Sequence, residues 1–120
     1  MNGGRKDFSN VIFTEKIDLS GLDLTGFNFS GVSLQKANLS NTSLSNSNLT
    51  GADLSSANIS FSRLFGANLT SANLSHADLS NSVLSYANMT RANLMQTNLT
   101  RTDLTKVKNW DGIEAQNLSS

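Results

Sequence analysis

The chain has no cysteine, no proline, one histidine, one tryptophan and one tyrosine in 120 residues. Without cysteine, neither a disulfide framework nor a thiolate metal site can form. Charge is sparse and cancels, with nine basic and nine acidic residues. Such a balance offers no steering toward nucleic acid or an anionic membrane surface. No apolar run approaches the roughly 18 residues of a membrane span. The start, Met1-Asn2-Gly3-Gly4-Arg5-Lys6, is not followed by the apolar core of a signal peptide. These absences predict one soluble, cytoplasmic domain with no membrane span; export without a cleaved signal is compatible with them.

What the chain does have is a stride. Every fifth residue from Leu19 is large and apolar: Leu19, Leu24, Phe29, Leu34, Leu39, Leu44, Leu49, Leu54, Ile59, Leu64, Leu69, Leu74, Leu79, Leu84, Met89, Leu94, Leu99 and Leu104. All eighteen positions comply, and fifteen are Leu. Two residues before each stands a small residue in most units, Ala in eight and Ser or Thr in six. Asn or Asp precedes the Leu in fourteen units, and Ser or Thr follows it in fifteen. The unit is small–Asn/Asp–Leu–Ser/Thr–variable. A polar chain rich in Ser, Thr and Asn invites a reading of disorder. A disordered tract has no reason to keep such a period.

A period of five fits no straight element. On an α-helix, at about 100° per residue, the leucines would spiral around the axis. On a straight strand, five being odd, they would alternate faces. The backbone must therefore bend once per unit, so that each Leu faces a common interior. Such a coil stacks on itself, each unit supported by its neighbours.

The runs Ala52-Asp53-Leu54-Ser55-Ser56, Ala67-Asn68-Leu69-Thr70-Ser71 and Ala77-Asp78-Leu79-Ser80-Asn81 resemble the pentapeptide-repeat proteins, a likeness that covers about three quarters of the chain. The resemblance implies an all-β fold: a right-handed quadrilateral β-helix with twenty residues per coil, hence about 4.5 to 5 coils here. The chain then divides into a tail and offset first part-coil (1–16), the repeat solenoid (17–107) and a C-terminal cap (108–120). The offset rests on Phe8 and Phe13, which keep the stride, and on the six-residue step to Leu19, read as one insertion near Lys16. Ile17, Leu22, Phe27 and Val32 fill the small places of the first full coil and are expected to widen it or plug its end. Asp111-Gly112-Ile113-Glu114 has capping-box spacing, which predicts a short helix over 111–118, with Trp110 or Ile113 covering the last coil.

Residues for chemistry are few. The lone His76 sits at the variable place without a second metal-binding partner type, so it reads as a solvated surface residue. Asp18, Asp23, Asp53, Asp78 and Asp103 occupy the place usually held by Asn, which cannot transfer protons; hydrogen bonding to turn backbone is the expected task. Asn-x-Ser/Thr recurs because the repeat generates it. Gly21, Gly26, Gly31, Gly51 and Gly66 take the variable place and suit tight corners rather than a phosphate loop. Arg91, Arg101, Lys106 and Lys108 make the C-terminal end mildly basic, spread over several sides and without interleaved aromatics, a weak case for direct nucleic-acid binding. No catalytic residue, metal, cofactor or small-molecule substrate is expected.

Function is sought where outward places break the consensus. With twenty residues per coil, Phe61, Arg63, Phe65, Val83 and Tyr86 fall in one apolar patch around an arginine. Aromatics and Arg are the usual anchors of protein contacts. The expected function is a non-enzymatic, rigid interaction scaffold or bacterial effector module, its protein partner unknown, with an end-to-end homodimer as a further option. The resemblance also suggests a DNA-mimicking gyrase binder of the quinolone-resistance type, but mimicry needs strongly negative sides and the net charge here is zero. Ice binding by Ser/Thr rows is disfavoured because Gln35, Phe65 and Met95 interrupt them.

Overall fold

A computed structural model describes residues 6–109. No helix occurs among them; each five-residue unit contributes a single parallel bridge and then a turn. From Asp18 onward each bridging residue pairs with the one twenty positions later, Asp18 with Asn38 and so on to Asn88 with Lys108. Four units thus complete a rung, and the rung has four sides. Asp18, Asn38, Asn58, Asp78 and Asn98 run up face I. Asp23, Ser43, Arg63, Val83 and Asp103 run up face II. Face III carries Asn28, Asn48, Asn68, Asn88 and Lys108, and face IV carries Ser33, Asp53, Asn73 and Asn93. Below them, Asp7 pairs with Asn28 and Ile12 with Ser33, each over twenty-one residues. The extra residue lies in the unit 11–16, since the corner residues Asn10 and Lys16 are six apart.

The corners explain how five residues turn a side. The Leu carbonyl accepts from the N–H three residues on, as Ala67 N to Leu64 O at 3.0 Å. The variable residue between them has a positive φ in every unit, glycine or not: Gly66 at 67°, Tyr86 at 64°, Phe61 at 59°, His76 at 61°. A left-handed third residue after a normal second one is the type II turn.

Backbone donors are almost fully accounted for within the unit. The Asn38 N–H donates down to Ile17 O, the Leu39 N–H up to Asn58 O, and the Asn41 N–H up to Ser60 O. The Ser/Thr N–H is the one left over, and the Asn or Asp two residues earlier takes it, as Ser40 N to Asn38 Oδ1 at 3.0 Å. All fourteen Asn/Asp units from Asp18 to Asp103 make this bond. The consensus therefore follows from hydrogen-bond satisfaction as much as from packing.

The stride leucines from Leu19 to Leu99 are buried, and Leu104 is partly so. Phe8, Phe27 and Phe29 stack across the N-terminal end with centroids 5.6–5.9 Å apart, and Phe13 leans on Phe8 at 6.3 Å. Because the part-coil bridges only to faces III and IV, the first rung of faces I and II has no bridged rung beneath it among the described residues. Leu22, at an inward place there, is accordingly 36% exposed. The helix expected over 111–118, with Trp110 and Ile113, lies outside the described residues.

Candidate protein-interaction face

Face II departs from the other three both outside and inside. Outside, the Asn/Asp place holds Ser43, Arg63 and Val83 on three successive rungs. None of these three has the carboxamide or carboxylate oxygen that the repeat uses to bind the leftover N–H. On the second and third of these rungs the Ser/Thr or variable place is also altered, to Phe65 and Tyr86. The two rings meet at 5.3 Å between centroids, tilted by 53°. Both are about half exposed, at 46% and 47%. Arg63 bridges to Val83, is exposed, and makes no ion pair among the described residues, where Lys36 with Glu15 is the one pair formed. Phe61 stands on the corner leading into the same face with 58% of its surface exposed.

Inside, face II has no alanine. Its inward small places are Leu22, Thr42, Ser62, Ser82 and Thr102. Thr42, Ser62 and Ser82 are buried hydroxyls; Thr42 Oγ1 donates to Leu39 O of its own corner at 2.7 Å, whereas the two serines work one rung away from their own. Ser62 Oγ accepts the Thr42 N–H at 3.2 Å and donates to Leu39 O at 2.6 Å. Ser82 Oγ accepts the Ser62 N–H at 3.2 Å and donates to Ile59 O at 2.7 Å. At these two corners the hydroxyl from the next rung stands inside the turn in place of the direct N–H to carbonyl bond. One of them, Ile59 to Ser62, is the corner that carries Phe61. No described buried side-chain nitrogen or oxygen is left without a partner.

The sequence reading singled out Phe61, Arg63, Phe65, Val83 and Tyr86 but not the hydroxyls beneath them. Read at a stride of twenty, the alanine-free column was available as a signal. Of the other residues considered, His76 is exposed on the corner between faces IV and I, and no group of three His, Cys, Asp or Glu converges among the described residues. No cavity opens among the described residues. The four C-terminal basic residues are not gathered: Arg91, Arg101 and Lys106 stand on three different corners, and Lys108 on face III.

The aspartates act as turn acceptors. The Ser20 and Thr105 hydroxyls and N–H groups hold the Asp18 and Asp103 carboxyls below their usual range. Thr25 does the same for Asp23, with a smaller contribution from Arg63. At Asp53 burial pushes the pKa upward, but donors from Gln35 and Ser55 outweigh it and the net direction is down.

Comparison with known proteins agrees with this geometry. The pentapeptide-repeat family model matches residues 15–51, 33–70 and 72–108, and the chain belongs to that family. Its members form right-handed quadrilateral β-helices, the class to which this four-sided solenoid belongs. A pentapeptide repeat protein of the Arabidopsis thaliana thylakoid lumen is 32% identical, with a TM-score of 0.71 over 73% of this chain and 61% of that one. This chain therefore spans less than two thirds of that relative's length. Rfr23, a pentapeptide repeat protein from the cyanobacterium Cyanothece 51142, is 27% identical with a TM-score of 0.59, over 88% of this chain and 92% of that one. QnrB1, a plasmid-mediated fluoroquinolone resistance protein, is 20% identical with a TM-score of 0.46, over 83% of this chain and 63% of that one, a likeness that carries no functional argument. No curated protein sequence matches the chain. No helix of the described residues is long and apolar enough to cross a membrane.

Proposed function

We propose that the chain is a non-enzymatic interaction module, a rigid scaffold or effector piece whose face II docks a protein. The observation that carries this reading is the pair Arg63 and Val83. At these places the solenoid gives up the acceptor that fourteen other units keep, and it gains an unpaired guanidinium beside a half-exposed aromatic pair. A repeat under selection for stability alone would retain the acceptor, since an unmet backbone donor costs about 1–3 kcal/mol when buried. Aromatic rings beside an arginine are the side chains that anchor protein contacts. A cytoplasmic or exported bacterial setting belongs to the same reading.

The test is affinity capture from a native extract with the wild type and with the double variant Phe61→Ser, Phe65→Ser. The variant is expected to keep its circular dichroism and lose the captured protein. A folded variant that captures the same protein as the wild type discards face II as the docking surface.

A further inference from the structure

Face II carries its charges in a self-complementary order. Arg63 bridges to Val83, and Val83 bridges to Asp103, so one cation and one anion flank an apolar residue at one rung on either side. Rungs paired in this way are about 4.8 Å apart. Faces I and IV carry no cation at their bridging places from Asp18 to Asn98, and face III carries no anion there between Asn28 and Lys108. Arg63 and Asp103 are both exposed. Asp103 uses Oδ1 for the Thr105 N–H, and among the described residues no hydrogen bond engages its Oδ2.

We propose that face II pairs with face II of a second copy of this chain, about a twofold axis that lies in the interface over Val83, parallel to the strand direction of its rung. This rests on the reading of face II as a docking surface and names its occupant. Such an axis exchanges the rung below with the rung above. Arg63 then lies over Asp103 of the second copy, Asp103 over its Arg63, and Val83 over its Val83. The axis leaves left and right along the strand in place. Phe61, two residues before Arg63, falls over Arg101 of the second copy, two residues before its Asp103. A guanidinium over an aromatic face is a favourable contact. Arg101 is already braced in the first copy, its Nε donating to Asn81 Oδ1 at 2.9 Å. The contact is isologous and closes after two chains, so it yields a dimer rather than a filament. It differs from end-to-end stacking, which would run through ends whose last residues, 110–120, lie outside the described part.

Sedimentation equilibrium of the full chain, at micromolar to high-micromolar concentrations, tests it. The wild type is expected at twice the 12.9 kDa chain mass. Arg63→Glu and Asp103→Arg alone are each expected to weaken pairing at least tenfold by placing like charges together. The two changes combined are expected to restore the dimer, because each exchanged charge again meets its opposite. Asp23→Arg, on the same face but two rungs from Arg63 on the other side, is expected to pair as the wild type does. Circular dichroism of every variant guards against loss of fold. A wild type that stays monomeric throughout, or a combined variant that fails to recover what the single changes lost, overturns the self-pairing. If the wild type is monomeric while Phe61→Ser, Phe65→Ser abolishes capture of another protein, docking on face II stands and only the second copy as occupant falls.

Discussion

Phe65 and Tyr86 are twenty-one residues apart in the chain, yet their rings lie 5.3 Å apart with planes tilted by 53°. The contact exists because a rung closes after twenty residues and Tyr86 sits one place further on. A tilted aromatic pair at that distance contributes roughly 0.5–1.5 kcal/mol beyond its buried area. A double-mutant cycle with Phe65→Ala and Tyr86→Ala, read by urea denaturation, is expected to show a coupling in that range. Additive single effects would mean that the rings touch without supporting each other.

The hydroxyl inside the corner below it makes Ser82 dearer than its neighbours. Ser82→Ala leaves the Ser62 N–H and the Ile59 carbonyl without their buried partner. The expected loss is about 1–3 kcal/mol. Ser80→Ala removes a hydroxyl whose partner, Asp78 Oδ1, still receives the residue 80 N–H, and it should cost less than half as much. Chemical denaturation of both variants decides between them; equal midpoints would show that the corner tolerates the missing hydroxyl.

Gly51 isolates the cost of the left-handed corner. Its φ is +67°, and a Cβ built there meets nothing within 4 Å. Gly51→Ala should therefore lose about 1–2 kcal/mol to backbone conformation alone. Gly51→Asn should lose less, because Asn tolerates this region and already serves at Asn41, Asn46 and Asn81. Thermal melts that rank Ala above Asn would contradict the conformational account.

Inside the solenoid, volume rather than polarity sets the tolerance. Ala72 is buried under the rung and Leu74 fills the axis beside it. Ala72→Leu forces extra atoms into a closed rung and should cost about 1–3 kcal/mol, more than the near-isosteric Leu74→Met. Denaturation midpoints compare the two; an equal loss would mean that the small place has room to spare.

Acid should weaken the fold through the aspartate acceptors. The carboxyls of Asp18, Asp23 and Asp103 are held below the usual value of 3.8 by the hydroxyls and N–H groups of Ser20, Thr25 and Thr105. A folded pKa below the unfolded one means that the folded chain binds fewer protons as pH falls through this region. The stabilisation is thus complete above about pH 4 and is lost as pH drops through the folded values. The triple variant Asp18→Asn, Asp23→Asn, Asp103→Asn keeps an acceptor oxygen without the titration. Its stability should fall less steeply than the wild type's between pH 4 and pH 2 in denaturation series, and parallel curves would assign the acid response elsewhere.

The inward column was legible because facing inward is a property of each unit. Leu44, Leu64 and Leu84 keep the same place in a five-residue pattern, and no knowledge of neighbours is needed to see it. The task of the Asn/Asp place was legible for a similar reason, since the N–H it accepts is only two residues away. Leu22 was not: it holds an inward place like any other, and it is exposed where no bridged rung lies beneath it among the described residues.

By itself the sequence determined that the chain bends every five residues around a leucine column, because that is the one arrangement in which eighteen large apolar side chains share an interior. The twenty-residue rung was implied by likeness to a family, not by the stride, and it is the rung that decides who touches whom. Only the tertiary structure placed the Ser62 and Ser82 hydroxyls inside the corners of the rung below and tilted Phe65 against Tyr86. The reason is physical: a five-residue period specifies direction, while contact across twenty or more residues depends on where the closed rung brings the chain back.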